Sequence, residues 1–114
     1  MLAVGGHFLG NLDPRIERMT TGFAGGVGGS KQEMCGALSA GVMIVGALHG
    51  RNSLAEDDGP ARQLATRYCE RFAAELGTTH CGTLYDQVHA PGGPGSCSSV
   101  VEYAASILLE LLAE

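Results

Sequence analysis

The chemistry open to this chain rests on four cysteines and four histidines. The thiols are Cys35, Cys69, Cys81 and Cys97. A cysteine thiolate is at once a nucleophile, a redox group and a metal ligand. No Cys-x-x-Cys occurs, so the thioredoxin and zinc-ribbon signatures are both absent. His49 shares a predicted helix with Cys35 but lies about 21 Å along its axis, too far to serve as its base. His80 adjoins Cys81 and is a candidate fourth ligand or base, with an exposed loop histidine as the plainer reading. His7 and His89 form no constellation, and no Gly-x-Ser-x-Gly supports serine catalysis.

The elements that must position these groups read as helices almost throughout. Asp13 as N-cap and Pro14 at the first helical position open a helix that Gly22 ends. Ser30 and Glu33 have capping-box spacing ahead of an apolar segment, so a helix is expected from about Lys31 to His49, with Gly50 as its stop. Its middle is apolar on all sides, which predicts the central helix of a bundle. Pro60 starts a third helix ending at Gly77, and a short helix follows from about Thr79 to Val88. After the loop "HAPGGPGS", Ser99 and Glu102 suggest a second capping box for the last helix. The expected fold class is all-α: a compact helical bundle around a buried Gly/Ala-rich central helix.

On these elements Cys35 falls one turn inside the central helix, Cys81 in the first turn of the short helix, and Cys97 at the mouth of the last. Three of the four thiols thus lie near helix N-termini, where partial positive charge favours thiolate and lowers the pKa. Cys69 falls on the apolar stripe of the third helix, with Tyr68 and Phe72, and reads as a small core hydrophobe.

The stretch "GGVGGSKQEMCGALSAG" at Gly25–Gly41 raises the question of a phosphate cradle. A Walker A loop needs a hydroxyl residue after its lysine, and Gln32 follows Lys31. The dinucleotide fingerprint needs glycine where Lys31 stands. Close packing is the better reading: the glycines allow sharp turns, and Gly36, Ala37, Ala40, Gly41 and Gly46 give the central helix a thin surface.

A chain of 114 residues suits one domain, residues 1–114, able to bury a core without metal or disulfides. The opening "MLAVGGHFL" reads as the tail of a helix, with an upstream N-terminal helix expected and missing. Net charge is −5, and Glu70 and Glu75 interleave with Arg62, Arg67 and Arg71, a pattern that argues against nucleic acid. The apolar run from Met34 to Leu48 is shorter than the roughly 20 residues of a membrane span. Cysteines without a secretory signal predict a cytoplasmic protein with reduced thiols.

The segments "TGFAGGVGGSKQEMCGALSAGVMIVGALHG" and "CERFAAELGTTHCGTLYD", with Cys97 ahead of "VVEYAASILLELL", resemble the C_GCAxxG_C_C family of small helical proteins, to which redox activity is ascribed. Cys35-Gly36-Ala37 stands at the family's core motif, with Gly41 later than the motif's closing glycine. Nothing in the chain matches the family's first cysteine. The resemblance implies a redox-active cysteine cluster. A similar helical region accompanies an iron–sulfur centre in split-Soret cytochromes, which adds iron to the candidate cofactors beside zinc.

The expectation is therefore a thiol redox or metal-thiolate site built from Cys35, Cys81 and Cys97, working by disulfide exchange or by ligating an iron–sulfur centre or zinc, with an unknown redox partner. Those three should approach one another, Cys81–Cys97 being the expected disulfide pair because the "PGGPG" loop joins them flexibly. The alternative is a non-catalytic helical module that dimerises or binds a partner, with structural cysteines. The last helix has only Glu102, Ser106 and Glu110 as a polar stripe, which predicts a homodimer through its apolar remainder.

Overall fold

The structure, a computed structural model, describes residues 2–114. Its helices are α1 (Leu2–Leu9), α2 (Pro14–Met19), α3 (Gly36–His49), α4 (Gly59–Leu76), α5 (Cys81–His89) and α6 (Ser98–Leu112), with a 3-10 turn at Thr21–Phe23. The fold is all-α. Its core lies where α3, α4 and α6 meet. Leu38, Ile44 and Val45 of α3 pack there with Tyr68 and Phe72 of α4 and with Val100, Ala104, Ile107, Leu108 and Leu111 of α6. Leu84 and Val88 of α5 and Val4 of α1 close the ends. Each such side chain, fully buried, contributes about 1.5–3 kcal/mol of transfer free energy.

Local chemistry explains most boundaries. The Asp13 carboxylate accepts from the Arg15 amide at 2.7 Å, capping α2. Gly77 ends α4 in the left-handed conformation at φ 87°, which costs glycine nothing. Gly41 explains the close approach of α3 and α4: a Cβ there would lie 2.4 Å from the Tyr68 ring. The missing side chain makes the notch in which Tyr68 sits, and its hydroxyl donates to the Ala104 carbonyl at 3.0 Å. Gly36 is partly buried against the backbone at Phe23.

Several expectations are corrected. The central helix begins at Gly36, not Lys31. Ser30 does not cap it: its hydroxyl donates to the Gly26 carbonyl at 2.8 Å and accepts from the Gln32 amide, closing a loop. Lys31 sits at φ 62°, outside any right-handed helix. Likewise α6 starts at Ser98 with Cys97 as N-cap, so Ser99 is inside the helix. Gly22 lies within the 3-10 turn rather than ending α2, which stops at Met19. Gly46 is exposed with open space at its Cβ position, so this part of α3 faces outward and the thin-surface reading fails there.

Candidate functional site

The glycine stretch folds into a device for holding a thiol. Gly25, Gly26, Val27, Gly28 and Gly29 all have positive φ, between 62° and 72°. Such a left-handed run is open to glycine and strained for the β-branched Val27. The Gly28 amide returns to the Gly22 carbonyl at 2.8 Å, and the Lys31 amide to the Gly25 carbonyl at 2.8 Å. The coil leaves Gly26 buried against Cys81: a Cβ on Gly26 would meet the Cys81 Cβ at 2.6 Å and Sγ at 3.2 Å. Close packing is therefore the right reading of these glycines, and its object is a cysteine.

Past the coil the chain becomes extended and pairs with the segment ahead of α5. Met34 and His80 form an antiparallel bridge. The Cys35 amide donates to the Thr79 carbonyl at 2.8 Å and the Cys81 amide to the Glu33 carbonyl at 2.9 Å. The Gly82 amide adds a bond to the Lys31 carbonyl at 2.9 Å. Side chains alternate across an extended chain, so Cys35 and Cys81 share the face opposite Met34 and His80. The register of the bridge makes them diagonal neighbours on that face.

The third thiol arrives from α6. Cys35 is the N-cap of α3, Cys81 the first residue of α5, and Cys97 the N-cap of α6. Neither N-cap cysteine makes a side-chain cap bond. Three helix starts thus bring Cys35, Cys81 and Cys97 to the wall of one cleft of about 590 Å³. Ala and Gly residues of α3 and the coil, Val100 and Val101 of α6, Thr20 after α2, and Ala3 of α1 complete the wall. Cys97 is exposed, and Cys35 and Cys81 are half-buried.

Electrostatics at Cys81 differ from the sequence expectation. Burial pushes its pKa above the ordinary thiol value, the Cys35 and Cys97 sulfurs push it further, and Lys31 pulls it down. The correction has a clear cause: desolvation and two neighbouring thiols disfavour a thiolate here, against the pull of the helix start. Lys31 is a participant that sequence reasoning missed. Its ammonium lies 4.0 Å from the centre of the Tyr85 ring, and Tyr85 is four residues along α5 from Cys81.

Cys69 has a different setting. It is half-buried against the core on α4 and does not line the cleft. Burial, then Glu70, pushes its pKa up. His80 takes the plainer role. Its Nδ1 accepts from the Thr83 amide at 3.2 Å, capping α5, and it does not line the cleft. His89 stacks on Tyr85, with Nδ1 2.8 Å from the Tyr85 carbonyl.

All four cysteines are unpaired thiols. Among the described residues no three Cys, His, Asp or Glu side chains are disposed to hold one metal ion. The three cleft thiols share a wall without forming a ligand set, so the arrangement does not fit zinc or an iron–sulfur centre as it stands. The cleft therefore presents one exposed thiol, Cys97, and two half-buried ones, Cys35 and Cys81.

A family model described as "Putative redox-active protein (C_GCAxxG_C_C)" matches residues 1–111, which includes the opening helix. No curated protein and no solved structure matches the chain.

Proposed function

This chain belongs to the C_GCAxxG_C_C family, and from that premise we propose that it works as a dithiol–disulfide redox protein through Cys97, Cys81 and Cys35. The observation that carries the reading is the meeting of three helix-start cysteines on one cleft wall. Cys97, the exposed thiol, attacks a substrate disulfide as its thiolate, forming a mixed disulfide and releasing one substrate thiolate. The Cys81 thiolate then attacks the Cys97 sulfur and expels the second substrate thiolate. A Cys81–Cys97 disulfide forms, two electrons pass to the substrate, and the protons shed by the two cysteines go to the released thiolates. Cys35, diagonal to Cys81, is the alternative resolving thiol. An external dithiol restores the reduced state by the reverse exchange.

Thiol counting, peptide mapping and metal analysis on one anaerobically purified sample test this. Mild oxidation should lower the count from four thiols to two, with a Cys81–Cys97 or Cys35–Cys81 peptide recovered. Stoichiometric iron or zinc with visible cluster absorption would replace exchange with metal ligation. Four thiols that survive oxidation would favour the non-catalytic module with structural cysteines.

The same reading includes a cytoplasmic homodimer joined through α6. Reduced thiols suit the cytosol, and no described helix is long and apolar enough to cross a membrane. Support for pairing comes from Val101 and Leu109, which remain 55% and 42% exposed while five other α6 residues are buried.

A further inference from the structure

The thiol cleft has a second property, the nature of its walls. Apart from the three cysteines and Thr20, every lining residue is Ala, Gly or Val. None is charged. Its volume of about 590 Å³ lies within the 300–1,000 Å³ of pockets that take small organic ligands. The small side chains leave this space open: Ala37 and Ala40 on α3, Ala24 beside the coil and Ala3 on α1 contribute only a methyl group each. Partial positive charge at the three helix starts lies beside sulfur, where negative charge develops during exchange. No lysine, arginine or histidine is among the lining residues, and Lys31, whose charge is felt at Cys81, holds its ammonium over the Tyr85 ring outside them; a substrate carboxylate would give up hydration there without a paired cation. The net charge of −5 further disfavours anions at a distance.

We propose that this cleft selects disulfide substrates with a neutral, apolar body of small-molecule size and discriminates against carboxylated ones such as glutathione disulfide. The inference rests on the thiol-exchange reading above and names its substrate class. The chemistry is unchanged: the protein's two thiols are oxidised to one disulfide, and the substrate S–S bond is reduced to two apolar thiols.

The test uses the reduced full chain and two chromogenic disulfides, a neutral dipyridyl disulfide and a dianionic bis(nitrobenzoate) disulfide, at high salt to screen net charge. Rates are divided by those of a free small thiol with the same reagents. The normalised preference for the neutral reagent should exceed about tenfold. Ala24→Lys, at an exposed wall position, should move the preference back toward the dianion, with Ala3→Lys as the second variant if the first melts early. Ala40→Phe should slow the neutral reagent by filling the cleft. A normalised ratio near one in the unmodified protein, or a preference indifferent to both lysine variants, overturns the substrate class. Absence of any intramolecular disulfide after either reagent overturns thiol exchange itself, so the two failures are distinguishable.

Discussion

At the scale of single residues, one cation and one phenol deserve experiments. Lys31 is held in the left-handed region at φ 62°, and its charge draws the Cys81 pKa down against burial and the two neighbouring thiols. Lys31→Asn removes the charge while keeping a residue that tolerates this backbone. The midpoint of Cys81 alkylation against pH should move upward, with slower labelling at neutral pH; an unchanged profile would mean Lys31 acts only on Tyr85. Tyr68 is buried beneath α6, and burial, then Cys69 and Cys35, push its pKa well above the ordinary tyrosine value. Cys69 and Cys81 are also shifted up. Raised folded-state values mean that the native state binds more protons than the unfolded chain. Stability is then complete below the unfolded pKa values, about 8.5 for Cys and 10 for Tyr, and is lost as pH rises through the folded ones. Thermal melts should fall progressively above about pH 8.5. Tyr68→Phe should cost about 1 kcal/mol at neutral pH through the lost hydrogen bond and should flatten the decline beyond about pH 10.

At the scale of elements, α3 contains a matched pair of glycines with opposite expected effects. Gly41 faces Tyr68 so closely that a Cβ would overlap the ring. Gly41→Ala should destabilise by about 1–3 kcal/mol, and Gly41→Leu by at least as much. Gly46 faces open space, so Gly46→Ala gains helix propensity with no clash and should stabilise by about 0.5–1 kcal/mol. Melting temperatures that move in the same direction for the two alanine variants would refute the assigned packing of α3. The corrected start of this helix belongs at the same scale. Ser30 and Glu33 have the spacing of a capping box, yet the amides and carbonyls of this segment are taken by the glycine coil and by the extended segment ahead of α5. Local capping preference is worth about 1 kcal/mol, less than several backbone bonds made elsewhere.

At the scale of the whole molecule, charge and apolar surface are divided between neighbours. Arg71 of α4 pairs with Glu110 of α6, and Arg67 with Glu114 just beyond it, so Glu110 of the α6 polar stripe is turned toward α4. These pairs are exposed and contribute little individually, but they leave Val101 and Leu109 as apolar surface. Light scattering at micromolar concentration should give a dimer mass, and Leu109→Lys should shift it to monomer without lowering the melting temperature of the subunit core. A monomer mass for the unmodified protein would remove the α6 interface.

What the sequence determined by itself was the class of fold and the identity of the candidate thiols. Apolar spacing of about 3.6 residues, Asp13 before Pro14, and Gly77 after α4 are local signals, and helices are built from local bonds. The placing of Cys69 followed from its position on an apolar stripe, and Cys81 and Cys97 were legible as helix-start cysteines within one or two positions, whereas Cys35, expected a turn inside its helix, is the N-cap. Tertiary structure alone decided that these three helix starts open onto one cleft, because the α3 and α5 starts are joined by pairing between residues 33–35 and 79–81, far apart in the chain, and Cys97 reaches them only through the packing of α6. It also decided the direction of the Cys81 shift, since desolvation and neighbouring charge are sums over the folded surroundings and not properties of a helix terminus. The glycines of the coil show both levels in one place: their number announced tight turns, while only the fold revealed that Gly26 makes room for a thiol.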